Sequence, residues 1–209
     1  RLLRDWIDPS VTDEHDPLAA DPELDMYDPR HRVPYDSEFL KRFSAAQKAR
    51  LDRIESWALE RLAHLRSTPG APRDQSFIVY RTHADPRCVD LSLDVNDRAP
   101  GSVWGDARAV NYSCNAMGRT TSLTAFLSQW SSRSQADGPT NLARTSVPLL
   151  LLTYTADQST FPSTRDAWLA AGGSRIRNVD IVGGNHYLAG QPELVPQAAE
   201  SIAQWAHAL

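Results

Sequence analysis

Val147-Pro148-Leu149-Leu150-Leu151-Leu152-Thr153-Tyr154-Thr155-Ala156-Asp157 reads as a strand that runs straight into a polar loop. Its unbroken apolar run has strand length and none of the polar alternation of a half-solvated strand, the pattern of a strand covered on both faces of a parallel sheet. Outward from it, Pro162-Ser163, with Asp166 behind them, opens a helix that runs through Ala171 and stops at Gly172-Gly173. Arg175 to Val182 is a second strand and Gly183-Gly184-Asn185-His186 a turn. Pro192 to Leu209 closes as an amphipathic helix on Leu194, Ala198, Ile202 and Trp205. Strand, helix, strand, helix at these lengths is the rhythm of a parallel α/β sheet.

Upstream of Thr145-Ser146 the character changes. Residues 8 to 36 read as irregular, because Asp-Pro recurs at Asp8-Pro9, Asp16-Pro17, Asp21-Pro22 and Asp28-Pro29 and each proline biases its predecessor away from helix. Within it, Asp13-Glu14-His15-Asp16 is acidic enough to suggest a hard cation, but consecutive residues on an extended chain do not converge on one ion, so a solvated loop is expected. Ser37 to Arg66 has neither Pro nor Gly, and Phe39, Leu40, Phe43, Ile54, Trp57, Ala58, Leu62 and Leu65 fall near helical spacing. That predicts one long amphipathic helix, or two with a bend, whose apolar face suits a lid or a homodimer contact. Ser76 to Arg81 is a strand candidate, Thr82 to Ser113 reads as loops, Ser122 to Ser131 as a short helix and Ser134 to Pro139 as a loop.

Composition narrows the class. The 209 residues carry a net charge of -4, which leaves no basic footprint for nucleic acid. No apolar run approaches the roughly 18 to 20 residues that cross a bilayer, so no membrane partner is expected. The two cysteines, Cys88 and Cys114, are too few for a disulfide scaffold and lack metal-ligand spacing; both are expected as buried thiols. With no leader pattern at the start, the cytoplasm is the expected compartment.

In open α/β sheets, functional side chains gather at the carboxyl ends of strands. Asp157 follows the first strand and His186 the second, so the two can meet by a hydrogen bond in which the carboxylate fixes the imidazole tautomer, as a general base requires. From Ser146 to Leu209 the chain resembles the C-terminal end of an α/β-hydrolase-fold enzyme. Val147-Pro148 leads into the hydrophobic strand, and Thr155-Ala156-Asp157 stands where that superfamily often has Gly-Thr-x-Asp. Phe161-Pro162-Ser163 opens the next helix, and Gly183-Gly184-Asn185-His186-Tyr187 is similar to its final Gly-x-x-His turn. The resemblance implies that Asp157 is the triad acid and His186 the triad base, and that no metal or organic cofactor is needed.

The family pattern also demands a nucleophile elbow, Gly-x-Ser-x-Gly between strand and helix, ahead of the acid and base. It is absent. Gly101-Ser102-Val103-Trp104-Gly105 has its serine one place early, and Asn111-Tyr112-Ser113-Cys114-Asn115 has no elbow glycines. Together with the start at Arg1, this leads to the expectation of an α/β-hydrolase-like parallel sheet present only in its C-terminal part. Residues 146–209 would be core and residues 1–145 a large, mostly helical cap. The N-terminal strands and the nucleophilic serine would then lie in an N-terminal piece of the same polypeptide, the expected partner. In the cap, Trp104, Tyr112, Phe126 and Trp130 are candidates for an apolar pocket binding a small-molecule acyl substrate, although packing alone would account for each. The expected activity is cleavage of an ester, thioester or amide. Acyl transfer on the same intermediate and a non-catalytic binding or scaffold protein are the alternatives.

Overall fold

A computed structural model describes residues 5–16, 18–114, 116 and 119–209. The fold is mixed α/β with two small sheets, each of two strands, one antiparallel and one parallel. The chain divides into two compact units, the first formed by the chain up to Asp90 together with Asp106–Ala136, the second by Leu91–Gly105 and Asp137–Leu209. Among the described residues, no helix is long and apolar enough to cross a membrane.

The first unit is organised by α1, a single helix over Ser37–Ser67. The Asp36 side chain accepts the Phe39 N–H and caps its start. Phe39, Phe43, Gln47, Leu51, Ile54, Ala58, Leu62 and Leu65, at steps of three and four, form its buried face, and that face is spent on the unit's own core. Strand β1 (Ser76–Ile78) pairs antiparallel with β2 (Thr120–Ser122), Phe77 lying opposite Thr121. Helix α2 covers Ala107–Tyr112 and α3 covers Leu123–Gln129. Phe126 and Trp130 close the core with Ile7, Leu51, Ile54 and Val79. Full burial of a side chain such as Phe126 contributes about 1.5–3 kcal/mol.

The Asp-Pro stretch is irregular for a specific reason. Asp8, Asp16, Asp21 and Asp28 each accept, through a carboxylate oxygen, the backbone N–H two residues on, from Ser10, Leu18, Glu23 and Arg30. These side-chain turns compete with helix and supply the local order that the prolines deny it. In the acidic run, Asp13 makes the same turn to His15, while Glu14 pairs with the buried Arg50. Of the cysteines, Cys88 is buried in a short helical turn (Pro86–Cys88), but Cys114 is exposed just beyond α2, contrary to the expectation that both are buried.

The second unit holds the parallel pair. Helix α4 (Gly138–Leu142) precedes β3 (Leu149–Tyr154), α5 spans Pro162–Gly172, β4 spans Ile176–Ile181 and α6 spans Leu194–His207. Strands β3 and β4 run in register from Leu149 opposite Ile176 to Tyr154 opposite Ile181. Every residue of β3 is half-buried rather than fully buried. A strand of a parallel sheet reaches full burial only with neighbours on both edges and cover on both faces, and β3 has β4 alone as its strand partner among the described residues.

Candidate active site

Because β3 and β4 are parallel and end level at Tyr154 and Ile181, the turns that follow them emerge side by side at one end of the pair. Backbone and side-chain bonds zip these turns together. The Thr155 N–H donates to the Ile181 carbonyl at 3.2 Å, the Ala156 N–H to the Gly184 carbonyl at 3.0 Å, and the Gly183 N–H to the Thr155 hydroxyl at 2.8 Å. Gly183 has φ +74°, a left-handed conformation that only glycine adopts without strain, and it reverses the chain sharply after β4. A Cβ on Gly184 would come within 3.1 Å of the Ile181 carbonyl oxygen, so a glycine there permits the close approach.

The outcome is a dyad. Asp157 is 4% exposed, and both its carboxylate oxygens lie 3.0 Å from Nδ1 of His186. Its Oδ1 also accepts the Ser159 and Thr160 N–H groups at 2.7 and 3.1 Å, so the carboxylate is held from its own loop as well as by the imidazole. The His186 loop is closed from within. The Asn185 side chain donates to the Ala189 carbonyl and accepts its N–H, while Gln191 accepts the Asn185 N–H and donates to the Gly183 carbonyl. The Tyr187 ring stands edge-on to the imidazole, centroids 4.6 Å apart. With Nδ1 engaged, Nε2 is the nitrogen left to serve a reacting group. Beside the dyad lies a cavity of about 230 Å³ lined by Leu151, Tyr154, Thr160, Arg165 and Trp168 among others. A larger cavity, about 630 Å³, lies in the first unit along Ile54, Trp57, Phe77 and Tyr80 and contains neither dyad residue, so size alone does not mark the site.

Comparison with models of protein families, with curated proteins and with solved structures gives no match. The reading of this site therefore rests on its own geometry.

The hydrogen bond to Asp157 raises the His186 pKa above the ordinary imidazole value; burial opposes this and the carboxylate's charge adds to it. The folded state thus binds the imidazole proton more tightly than the unfolded chain does. The stability gained is fully present below the unfolded value near 6.5 and is lost as pH rises through the folded value. His186→Asn is therefore expected to cost more stability at about pH 5.5 than at about pH 9, as read by urea denaturation at each pH; an equal cost at both would contradict the raised value.

The other singled-out residues fall in different settings. Phe126 and Trp130 are core residues of the first unit. Tyr112, 43% exposed, donates its hydroxyl to Asp25, and the Arg81 guanidinium lies over its ring. Trp104, 41% exposed, is in the second unit but does not line the cavity at His186. The Ser102 hydroxyl is spent on a tight turn, donating to the Gly105 carbonyl and accepting the Trp104 N–H. Ser113 follows α2 in extended conformation, and Asn115 lies outside the described residues. Among the described residues no group of His, Cys, Asp and Glu is arranged to hold a metal ion.

Residues absent from the reading of the sequence also support the dyad. Asn96 donates its side-chain N–H to the Asp157 carbonyl, and Gln191 braces the His186 loop. Neither lies in a periodic pattern; an amide side chain in a loop signals a turn but not which backbone group it will reach.

Proposed function

We propose that Asp157 and His186 are the acid and base of a serine hydrolase of α/β-hydrolase type that cleaves an ester, thioester or amide. The nucleophilic serine would come from polypeptide outside these 209 residues. The observation that carries this reading is the arrangement of His186. Its Nδ1 faces a buried carboxylate at 3.0 Å, and the ring borders a cavity at the C-terminal end of two parallel strands. No elbow serine occurs in the sequence, and among the described residues β3 pairs only with β4, which leaves an edge on which further strands of a sheet could pair.

In this mechanism the serine Oγ bonds to the acyl carbon as His186 Nε2 takes its proton, and Asp157 stabilises the imidazolium that forms. The tetrahedral intermediate collapses, expelling the leaving group, which receives that proton from His186. Water, deprotonated by the same nitrogen, then releases the acid and restores the serine. Backbone N–H groups, mostly from the same outside segment, would stabilise the oxyanion. This chemistry requires neither metal nor organic cofactor.

The test is covalent labelling of the intact protein with a fluorophosphonate, paired with turnover of p-nitrophenyl esters. One serine outside the 209 residues is expected to take the label, and His186→Gln is expected to abolish labelling. An intact protein that neither takes the label nor turns over the ester would leave the dyad as part of a binding or scaffold protein.

A further inference from the structure

Two turns from different strands must keep Asp157 and His186 at hydrogen-bond distance; the acid-bearing turn is tied directly to a segment that carries no group of the dyad, and the base-bearing turn is tied to it through the Thr155 hydroxyl. The segment is Asp94–Arg98, which belongs to the same compact unit although it lies far earlier in the chain. Its Asp97 N–H donates to the Thr155 carbonyl at 2.9 Å. The Thr155 hydroxyl donates to Asp97 Oδ2 at 2.6 Å while accepting the Gly183 N–H at 2.8 Å. Because a carboxylate only accepts, the direction of that pair is fixed, and one hydroxyl clamps the acid-bearing turn, the base-bearing turn and the segment together.

The segment is braced from within. Arg98 is 4% exposed, and its guanidinium donates to the carbonyls of Leu93 at 2.6 Å and Asp94 at 2.9 Å and to Asn96 Oδ1 at 2.6 Å, with the Phe161 ring 5.0 Å from its central carbon. A guanidinium can only donate, so Asn96 must turn its oxygen toward Arg98. That leaves the Asn96 Nδ2 for the Asp157 carbonyl, which it reaches at 2.9 Å. Asp94 adds an anchor at the far side of the acid loop, accepting both the N–H and the hydroxyl of Ser163 at the start of α5.

We infer that Asp94–Arg98 is a strap whose Asn96 and Asp97, acting with Thr155, are positioning residues for the dyad: they fix the Asp157 turn against the His186 turn without touching the reacting atoms. The catalytic part of this inference rests on the hydrolase reading above; the geometric part does not. Of the described charged residues, Asp157 bonds His186 and Arg165 lines the same cavity, and the substitutions below alter neither.

The experiment is a ¹⁵N NMR titration of the His186 ring in the whole protein, with kcat and KM measured on the same samples. Thr155→Val removes the hydroxyl at nearly constant size, Thr155→Ser restores it, and Asn96→Ala removes the second tie independently. In the wild type His186 titrates above the ordinary imidazole value; Thr155→Val and Asn96→Ala are expected to bring it down toward about 6.5, and Thr155→Ser to return it. A loss of about 10- to 100-fold in kcat, with KM little changed, is expected alongside, as for sub-ångström misplacement of a catalytic group. Wild-type titration of His186 in both Thr155→Val and Asn96→Ala would overturn the inference. A titration that moves as expected in a wild-type background without ester turnover would uphold the strap and overturn the hydrolase reading instead. Should Thr155→Val fail to fold, Asn96→Ala decides by the same readout.

Discussion

Replacing His186 by alanine is expected to lower kcat/KM of the intact protein by about 10⁴-fold or more while costing no more than about 1–2 kcal/mol of stability. The two halves of that expectation have separate physical origins. In the proposed hydrolase, removing the imidazole removes the base that takes the serine proton and returns it to the leaving group, so the loss falls on the chemical step. The folding cost is limited because Oδ1 of Asp157 keeps the N–H groups of Ser159 and Thr160, and Asp157 borders the cavity from which water can reach Oδ2, the oxygen that loses the imidazole. The lost side chain is itself 30% exposed, so little apolar surface and no large cavity are involved. Steady-state kinetics with an activated ester and urea denaturation of the same preparation check both halves. Unchanged turnover would remove His186 from the mechanism, and a loss of several kcal/mol would make it a core residue instead.

That a site of this kind could be read at all from one sequence depends on where its signals lie. Leu149 to Tyr154 is a largely apolar run, and Ile176 to Ile181 sets Ile176, Val179 and Ile181 among polar residues; turn residues bound both, so both strands and the polar residues just beyond them were legible. Parallel pairing then brings Asp157 and His186 together, since strands that end level deliver their turns to one place. The helix over Ser37–Ser67 was equally legible, because a stretch without Pro or Gly and with an i, i+3, i+4 stripe has few other uses.

What stayed hidden is held by hydrogen bonds to distant partners, or by local caps, neither of which leaves a periodic trace. The strap at Asp94–Arg98 reads as polar loop in sequence, yet its Asn96 and Asp97 reach residues about 60 positions away. Strand β2 is Thr120–Ser122, without a single apolar residue, and is a strand only because β1 offers it a ladder. Helix α4 begins at Gly138-Pro139, a pair that reads as a break; Asp137 caps it through Thr140, and the proline suits a first turn where its missing N–H costs nothing. Phe126 carries the opposite lesson. Its helical spacing marked it as apolar surface in need of a partner, and nothing in the spacing distinguished a ligand from the Ile54 and Val79 core that receives it.

Arg50→Ala is expected to destabilise the first unit by about 3–5 kcal/mol, the largest stability effect of any single substitution considered, at a position whose sequence context hides it. Arg50 lies on α1 beside Leu51, on the face that, Gln47 apart, buries apolar groups, and its side chain is 0% exposed. A buried guanidinium is tolerable only if each of its N–H groups finds an acceptor, and each does. Nε and Nη2 engage the two carboxylate oxygens of Glu14 at 2.7 and 2.8 Å. Nη2 also donates to the Tyr80 carbonyl at 2.7 Å, and Nη1 donates to those of Asp8 and Arg81 at 2.8 and 3.2 Å. One side chain thereby joins α1, the Asp-Pro segment and the chain leaving β1. Alanine would strand the Glu14 carboxylate and the carbonyls of Asp8 and Tyr80 around a cavity, and each unsatisfied polar group carries its own desolvation penalty. Lysine keeps the charge but has three donors on a single nitrogen and cannot reproduce the fork, so Arg50→Lys should lie between alanine and wild type. Glu14→Gln should cost less than either, because Glu14 is 27% exposed and water can replace part of what is lost. Urea denaturation, with hydrogen exchange of the α1 amides to assign the transition to this unit, orders the three. An alanine variant within about 1 kcal/mol of wild type would mean that the network only breaks even against its own desolvation.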